Sequence, residues 1–305
     1  MADVLGVIDI GASTVLVGIS TMKGELREES VASIATPPTP FELQSVITST
    51  LTRAAGSDSI TKIGCVAPGP IDYESGVILR LHNKAWGPLP IVSALRDAFS
   101  CEVLLEDDAA AAAIAEALIG AGAGRSIVGY VTVSSGVGAG LVINGVRQGG
   151  AHGTAGEVGH LVLDPTGPVC NCGRRGDVES FAGGLSLVRQ LVEVWPEPLD
   201  VHSSVRSPAE LFQRASMGDE RALVIRDRGR DALARCFAAV ATLWDPEVIV
   251  VGGSVALGQT HWIDESVEFA REYCMAEVSE GLHHEFANLG TRSSLIGAAL
   301  LAAAT

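Results

Sequence analysis

Three stretches of this chain combine residue types and spacings that could do chemistry. The first is a pair of small-residue turns, Asp9-Ile10-Gly11-Ala12-Ser13-Thr14 and Ser134-Ser135-Gly136-Val137-Gly138-Ala139-Gly140. Phosphate oxygens are bound by closely packed backbone N–H groups, and small residues let the backbone come near enough. A carboxylate at a strand end, as Asp9 should be, can hold Mg²⁺ directly or through water. Each turn alone also reads as an ordinary hairpin; together they favour a nucleotide in a cleft. The second stretch is Glu106-Asp107-Asp108, directly ahead of an Ala-rich run. Carboxylates belong there as helix caps, because the first helical turn leaves N–H groups unsatisfied. Three are more than a cap requires, and one could serve as general base on a hydroxyl. The third is Gly156-Glu157-Val158-Gly159-His160 followed by Cys170, Cys172 and Asp177. His160 and the two thiols offer three zinc ligands, and Asp177 an oxygen fourth. The spacing is not that of a zinc finger, so a satisfied histidine beside two free thiols stands as the alternative.

The elements that must position these residues follow from periodicity and punctuation. Val4–Ile10 reads as a buried strand, Gly11–Thr14 as a turn and Val15–Ser20 as the returning strand. Pro37, Pro38 and Pro40 mark a loop, and Phe41–Ala55 carries helical spacing at Leu43, Val46, Ile47 and Leu51. Lys62–Ala67 is the next strand, ended by Pro68-Gly69-Pro70. Ile91–Phe99 is a short helix, and Val103–Leu105 a strand stopped by the three acids. Ala109–Ile119 is helical by propensity alone. After a hinge at Gly120–Gly124 the opening pattern recurs: strand Ser126–Val133, glycine turn Ser134–Gly138, strand Ala139–Ile143. Further on come a helix at Arg230–Leu243, a buried strand Val248–Val251 closed by Gly252-Gly253, and a last apolar helix, Ser294–Ala303. Strands followed by helices throughout predict α/β layers. The repeated strand–turn–strand unit predicts two related domains, a smaller one over 1–120 and a larger one over 121–293; the helix at about 294–305 is expected to pack back on the smaller.

Composition limits the partners. The chain has 36 acidic against 21 basic residues, a formal net charge of −15, which argues against a general nucleic-acid or anionic-membrane surface. No uncharged apolar run reaches the roughly 18 residues a membrane span requires. Val4–Ile10 is short, contains Asp9 and lacks a basic leader, so it does not read as a signal peptide. Cys170 and Cys172 share too short a loop for a disulfide, and close cysteines without a secretory signal suggest metal. A cytoplasmic protein is the expectation.

Taken in order, these segments resemble the ROK family of bacterial sugar kinases and sugar-responsive repressors, over nearly the whole chain. Asp9-Ile10-Gly11-Ala12-Ser13 resembles the first phosphate motif, Asp-x-Gly-Gly-Thr. Ala67–Asp72 resembles the Pro-Gly-Pro loop, and Asn83 with Trp86 the Asn-Leu-x-x-Trp segment. Glu106-Asp107-Asp108 is similar to Glu-Asn-Asp, whose last residue is the family's catalytic base. Ser135–Gly140 resembles the second phosphate motif, and Gly156–His160 matches Gly-Glu-Val-Gly-His unchanged. Cys170–Glu179 follows Cys-x-Cys-Gly-x-x-Gly-Cys-x-Glu, and Pro246–Gly253 resembles the adenosine-side motif.

The resemblance implies a two-domain actin-like ATPase (ribonuclease H-like) α/β fold with a nucleotide and sugar cleft between domains that close around substrate. It implies Mg·ATP held by Asp9, Gly11, Ala12, Ser13, Ser135, Gly136, Gly138, Gly252 and Gly253. It also implies a hexose held by Asp107, Glu157, His160, Glu179, Gly69 and Asn83, with Asp108 as base on the 6-hydroxyl. A structural zinc on His160, Cys170, Cys172 and Asp177 and a homodimer belong to the same expectation. Three departures stand out: Ala12 for glycine, Asp177 for the third zinc cysteine, and Asp107 for asparagine. Ionised Asp107 can only accept hydrogen bonds and adds charge beside Asp108, so an amino sugar such as 3-amino-3-deoxyglucose (kanosamine) is one expected substrate and plain glucose the other. A catalytically inactive sugar- or nucleotide-binding relative is a further reading. A repressor is disfavoured, because the first phosphate motif begins at Asp9 and leaves no room for a helix-turn-helix.

Overall fold

The computed structural model describes residues 1–81, 84, 86–199 and 206–304. In chain order its strands are β1 (Asp3–Ile10), β2 (Thr14–Ser20), β3 (Ala32–Ala35), β4 (Ser59–Ala67), β5 (Ile71–Asp72), β6 (Val77–Ile78), β7 (Glu102–Asp107), β8 (Ile127–Val133), β9 (Val137–Ile143), β10 (Val146–Arg147), β11 (Val248–Gly252) and β12 (His284–Phe286). Its helices are α1 (Pro40–Ala55), α2 (Ile91–Phe99), α3 (Asp108–Ile119), α4 (Val178–Ala182), α5 (Gly184–Val194), α6 (Pro208–Ser216), α7 (Glu220–Trp244), α8 (Ser254–Gly258), α9 (Thr260–Ala270), α10 (Ala276–Gly281) and α11 (Ser293–Ala304). Among the described residues no helix is long and apolar enough to cross a membrane.

Contacts divide the chain into two units. Unit 1 holds Met1–Leu118, Gly149–Ala155 and Arg292–Thr305, and unit 2 holds Ile119–Gln148 and Gly156–Thr291. Each contains a five-stranded sheet, ordered β3-β2-β1-β4-β7 in unit 1 and β10-β9-β8-β11-β12 in unit 2. The two sheets share one plan. An antiparallel meander of three strands is extended, beside its first strand, by two strands running parallel to it. The turn between the first two strands therefore lies at the carboxyl end of the central strand in both units.

In unit 1 the sheet is covered on both faces, and its strands alternate accordingly. Val4, Ile8 and Ile10 of β1 join Leu43, Ile47 and Leu51 of α1 in one core, while Val7 turns the other way to meet Leu295 and Ala299 of α11. α1 begins where Thr39 caps it, its hydroxyl accepting from Glu42 N at 3.2 Å, with Pro40 at the first position. On the opposite face the helices come unusually near. A Cβ on Gly297 would lie 2.0 Å from the carbonyl oxygen of Ala111, and one on Gly64 would lie 2.0 Å from that of Ala298. The alanine run of α3 thus serves more than propensity: five buried alanines, Ala109–Ala113, leave room for a neighbouring backbone.

Unit 2 is built around α7, whose buried face (Leu233, Phe237, Val240) packs with Val131 and Val133 of β8 and Ile249 and Val251 of β11. The helix is 25 residues long and starts ten residues before the expected Arg230, because Asp219 caps it by accepting from Arg221 N at 3.0 Å. Among the other boundaries that differ from expectation, two bear on the site. β7 continues through Glu106 and Asp107, so the acids do not stop it: Val66 and Ala67 of β4 still pair with them. Gly138 belongs to a strand and not to the turn, paired with Thr132.

The contact at Gly297 generates a test. Gly297→Ala should destabilise the fold by about 1–3 kcal/mol through forced separation of α11 and α3. Gly281→Ala, at the end of α10 with nothing within 4 Å of a new Cβ, should leave stability within about 0.5 kcal/mol. Urea unfolding of both variants checks this; equal midpoints would refute the close-packing account.

Candidate functional site

In unit 1 the turn after β1 is closed by Gly11 N donating to Thr14 O at 2.9 Å. Thr36, at the end of β3, braces it from outside: its N–H donates to Ser13 O at 2.9 Å and its hydroxyl to Gly11 O at 2.7 Å. The carbonyls are thereby used, while the N–H groups of Ala12 and Ser13 meet no acceptor among the described residues. Ala12 does not adopt positive φ, so the methyl that replaces a glycine hydrogen strains nothing in the backbone. Asp9, on β1 just before this turn, keeps some accessible surface yet lies deep among protein atoms. Burial pushes its carboxyl up to about 6, against a hydrogen bond from the Ser294 hydroxyl that lowers it.

The acid triplet sits where β7 runs into α3. Asp107 accepts from Ala110 N through Oδ1 at 3.0 Å, the geometry of a helix cap, and from Gly69 N through Oδ2 at 3.2 Å. It thus ties the Pro-Gly-Pro loop to the start of α3. Glu106 accepts from its neighbour's backbone, Asp107 N, and from the Tyr73 hydroxyl, both at 2.8 Å. Asp108 is the first residue of α3 and half-buried. It occupies the first turn, at the positive end of the helix dipole.

In unit 2 the equivalent turn is Ser134–Gly136, with Ser134 N donating to Gly136 O at 2.9 Å. Ser135 and Gly136 again present N–H groups that meet no acceptor among the described residues. The start of α5 and the end of β11 pack on this turn. Gly184 N and Leu185 N donate to the carbonyls of Ser134 and Ser135 at 2.8 and 3.0 Å, and the Ser254 hydroxyl, just past Gly252 and Gly253, lies 3.1 Å from that of Ser134. The Gly156–His160 segment lies along β9: a Cβ on Gly159 would stand 2.0 Å from Val137 O, so that position admits only glycine. Glu179, in α4 and 6% exposed, accepts from Val137 N at 3.1 Å and from the Cys170 thiol at 3.5 Å. One buried carboxylate therefore joins the turn to the cysteine segment.

His160, Cys170, Cys172 and Asp177 converge, their ligand atoms all within 4.8 Å of one another. His160 Nδ1 lies 3.1 Å from Asp177 Oδ2 and 3.7 Å from Cys170 Sγ, and Cys172 Sγ lies 3.6 Å from Asp177 Oδ2. Ligand atoms around a tetrahedral zinc with its usual bond lengths stand roughly 3.3–3.8 Å apart; the separations of 3.1, 3.6 and 3.7 Å lie near that range, while the set as a whole spans up to 4.8 Å. The other oxygen of Asp177 accepts from Ser180 N at 2.8 Å and caps α4. Although burial opposes it, hydrogen bonds from His160, Cys170 and Ser180 N hold Asp177 down at about 2. The bond to Asp177, with the nearby Glu179 and Glu157 charges, raises His160 against its own burial. Glu157 approaches the other ring nitrogen of His160 at 3.8 Å.

The sequence model of the ROK family matches residues 5–305. The chain belongs to the ROK family. It is 32% identical over 260 residues to a glucokinase of Thermotoga maritima, covering 82% of this chain and 81% of that one. It is 34% identical over 231 residues to an N-acetylmannosamine kinase of Haemophilus influenzae, covering 74% and 72%. Among solved structures, a ROK family glucokinase from Streptomyces griseus in complex with glucose and AMPPNP superposes with a TM-score of 0.84 at 27% identity, over 99% of this chain and 100% of that one. The two sheets of this ROK chain accordingly have the actin-like ATPase fold.

Within unit 1 of the ROK chain, hydrogen bonds join Asp107 to Gly69 and place Gly11, Ala12 and Ser13 in one braced turn beyond Asp9. Within unit 2 they join Glu179, Cys170, His160, Cys172 and Asp177, with Ser135 and Gly136 adjoining through Val137. Asn83 lies outside the described residues. Sequence reasoning missed Thr36, Tyr73, Ser254 and Ser294. Ser293-Ser294 ahead of an apolar run does signal a helix start; nothing local says that the second serine meets Asp9.

The raised Asp9 carboxyl makes the fold depend on pH. The folded chain holds this proton more tightly than the unfolded one, whose value is the ordinary 3.8. Stability therefore falls as pH rises from about 4 through about 6, and ionised Asp9 costs roughly 1–3 kcal/mol above that window. In urea unfolding without Mg²⁺ or nucleotide, Asp9→Asn should be more stable than wild type by that amount at pH 7.5, with the gap narrowing towards pH 4. A gap of constant size across pH would contradict the burial account.

Proposed function

We propose that this chain transfers the γ-phosphoryl group of Mg·ATP to the 6-hydroxyl of a glucose-like hexose. The observation that carries the reading is the recurrence, at the same point of two sheets built on one plan, of a turn with two adjacent N–H groups that the described chain does not satisfy. Such amides suit phosphate oxygens. The kinase activities of the glucokinase and N-acetylmannosamine kinase relatives support the same reading.

In this proposal the amides of Ala12, Ser13, Ser135 and Gly136 hold phosphates, aided by the Ser13 and Ser135 hydroxyls, and Gly11, Gly138, Gly252 and Gly253 keep the backbone close to the nucleotide. Asp9 positions Mg²⁺, which would neutralise charge on the transferring group. Asp108 accepts the proton of the attacking hydroxyl; Asp107, Gly69, Asn83, Glu157, His160 and Glu179 fix the ring. Little covalent work falls to the protein, so catalysis is alignment plus charge stabilisation. Asp108→Asn should lower kcat on the order of 10²–10⁴-fold with an unchanged melting temperature. Near-normal turnover in that variant would remove Asp108 from the role of base.

For the substrate we place neutral hexoses first. Both oxygens of Asp107 accept backbone N–H groups, which stabilises its charge without a substrate ammonium, and the comparisons lend no support to kanosamine. A coupled ADP-release assay over glucose, N-acetylmannosamine, N-acetylglucosamine, glucosamine and kanosamine decides. Glucose or another neutral hexose should lead; a tenfold preference for kanosamine would return Asp107 to the role of ammonium ligand, and no turnover on any sugar would favour an inactive binding protein.

We further propose a structural zinc on His160, Cys170, Cys172 and Asp177. The ion would cross-link the segment between His160 and Glu179 and so fix two sugar ligands. Purified protein should contain about one zinc per chain by elemental analysis, and Cys172→Ser should lose it. A metal-free wild type, stable to chelator, would refute this.

A further inference from the structure

Two adjacent serines begin α11, and each donates its hydroxyl to a carboxylate on a different element. Ser293 Oγ donates to Oε1 of Glu116 at 2.8 Å, inside α3, where Glu116 is fully buried. Ser294 Oγ donates to Oδ2 of Asp9 at the end of β1. One turn further along α11, Gly297 rests on the backbone of Ala111. The start of α11 is therefore held on α3 at two points, and from that fixed base Ser294 reaches Asp9.

Among the described residues, Ser294 is the one group that donates to the Asp9 carboxylate, and it takes Oδ2. A short acidic side chain at a strand end has rotamers that aim its oxygens differently. A donor of fixed position selects one of them and leaves Oδ1 for another partner. We infer that Ser294 is a positioning residue, setting the Asp9 carboxylate for the magnesium of the phosphoryl donor; the inference rests on the kinase reading above. The serine is itself placed by the Ser293–Glu116 bond and the Gly297 contact, so the helix that closes the chain is part of the metal-positioning apparatus.

The test compares Ser294→Thr with Ser294→Val, nearly identical in shape and differing in the hydroxyl, alongside Ser294→Ala and Asp9→Ala. Magnesium is varied at fixed ATP and saturating hexose, and binding of Mg·AMPPNP is measured by calorimetry. Ser294→Val and Ser294→Ala should raise the magnesium concentration for half-maximal rate roughly tenfold and weaken Mg·AMPPNP in parallel, while hexose KM stays within about twofold. Ser294→Thr should recover most of the loss, and Ser294→Ala should add nothing in an Asp9→Ala background. The inference falls if Thr and Val behave alike, if hexose KM moves as much as the magnesium requirement, or if the two losses simply add. A wild type that binds Mg·AMPPNP but phosphorylates no hexose defeats the hexokinase reading while calorimetry still reads Ser294. A wild type that binds no magnesium nucleotide defeats both.

Discussion

A backbone N–H group must find an acceptor, and at two turns of this chain the described structure supplies none for two neighbouring groups. Much of the surrounding design follows from keeping those groups available. The turn carbonyls are taken by outside donors, Thr36 in one unit and the start of α5 in the other, which stiffens each turn without consuming its amides. Acidic side chains come close: Asp9 lies beside the first turn, and Glu179 accepts the next amide along, Val137 N, beside the second. In an isolated hairpin such amides would be solvated and mobile. Here each turn is anchored to a central strand paired on both sides, antiparallel to one neighbour and parallel to the other, so its direction is set by the sheet.

Rigidity of that kind requires helices pressed close to the strands, and small side chains permit it. α3 and α11 are rich in alanine, and two glycine contacts in unit 1, Gly64 with Ala298 and Gly297 with Ala111, bring backbone against backbone. Such packing gains less from side-chain burial than a leucine-rich interface. It gains instead in dispersion contact between main chains and in positional definition. That explains how α11, the last element of the chain, can present a hydroxyl to Asp9, 285 positions earlier in sequence.

What could be read from the sequence was what is local. The turns, the acid triplet and the His160, Cys170, Cys172 and Asp177 cluster each reside in a short segment, and their residue types mark them as candidates for chemistry. The repeated strand–turn–strand signal sufficed to expect α/β layers in two related domains; the actin-like arrangement was expected only from the family resemblance. Contacts between distant segments were not legible. Tyr73 with Glu106, Glu179 with Val137, and Ser294 with Asp9 are 33, 42 and 285 positions apart, and no pattern within a segment encodes a partner at such distance. Boundaries failed for a related reason. Glu106 and Asp107 look like strand terminators by propensity, yet β4 pairs with them regardless, because the neighbouring strand continues.

The two acidic departures from the family pattern have one physical account. Asp107 and Asp177 each stand immediately before a helix, α3 and α4, and each uses Oδ1 to accept the N–H three residues on. Aspartate is among the best residues for that position, by about 1 kcal/mol over a non-capping one, and its charge faces the positive end of the helix. The second oxygen of each remains for a different contact. Asp107 Oδ2 holds Gly69 N, and Asp177 Oδ2 faces His160 and Cys172. Cysteine at 177 would offer one sulfur and no comparable cap. Asparagine at 107 could cap α3, but its amide nitrogen could not also accept from Gly69. Both replacements thus couple a site residue to the start of a helix, and a change of substrate is not required to explain either.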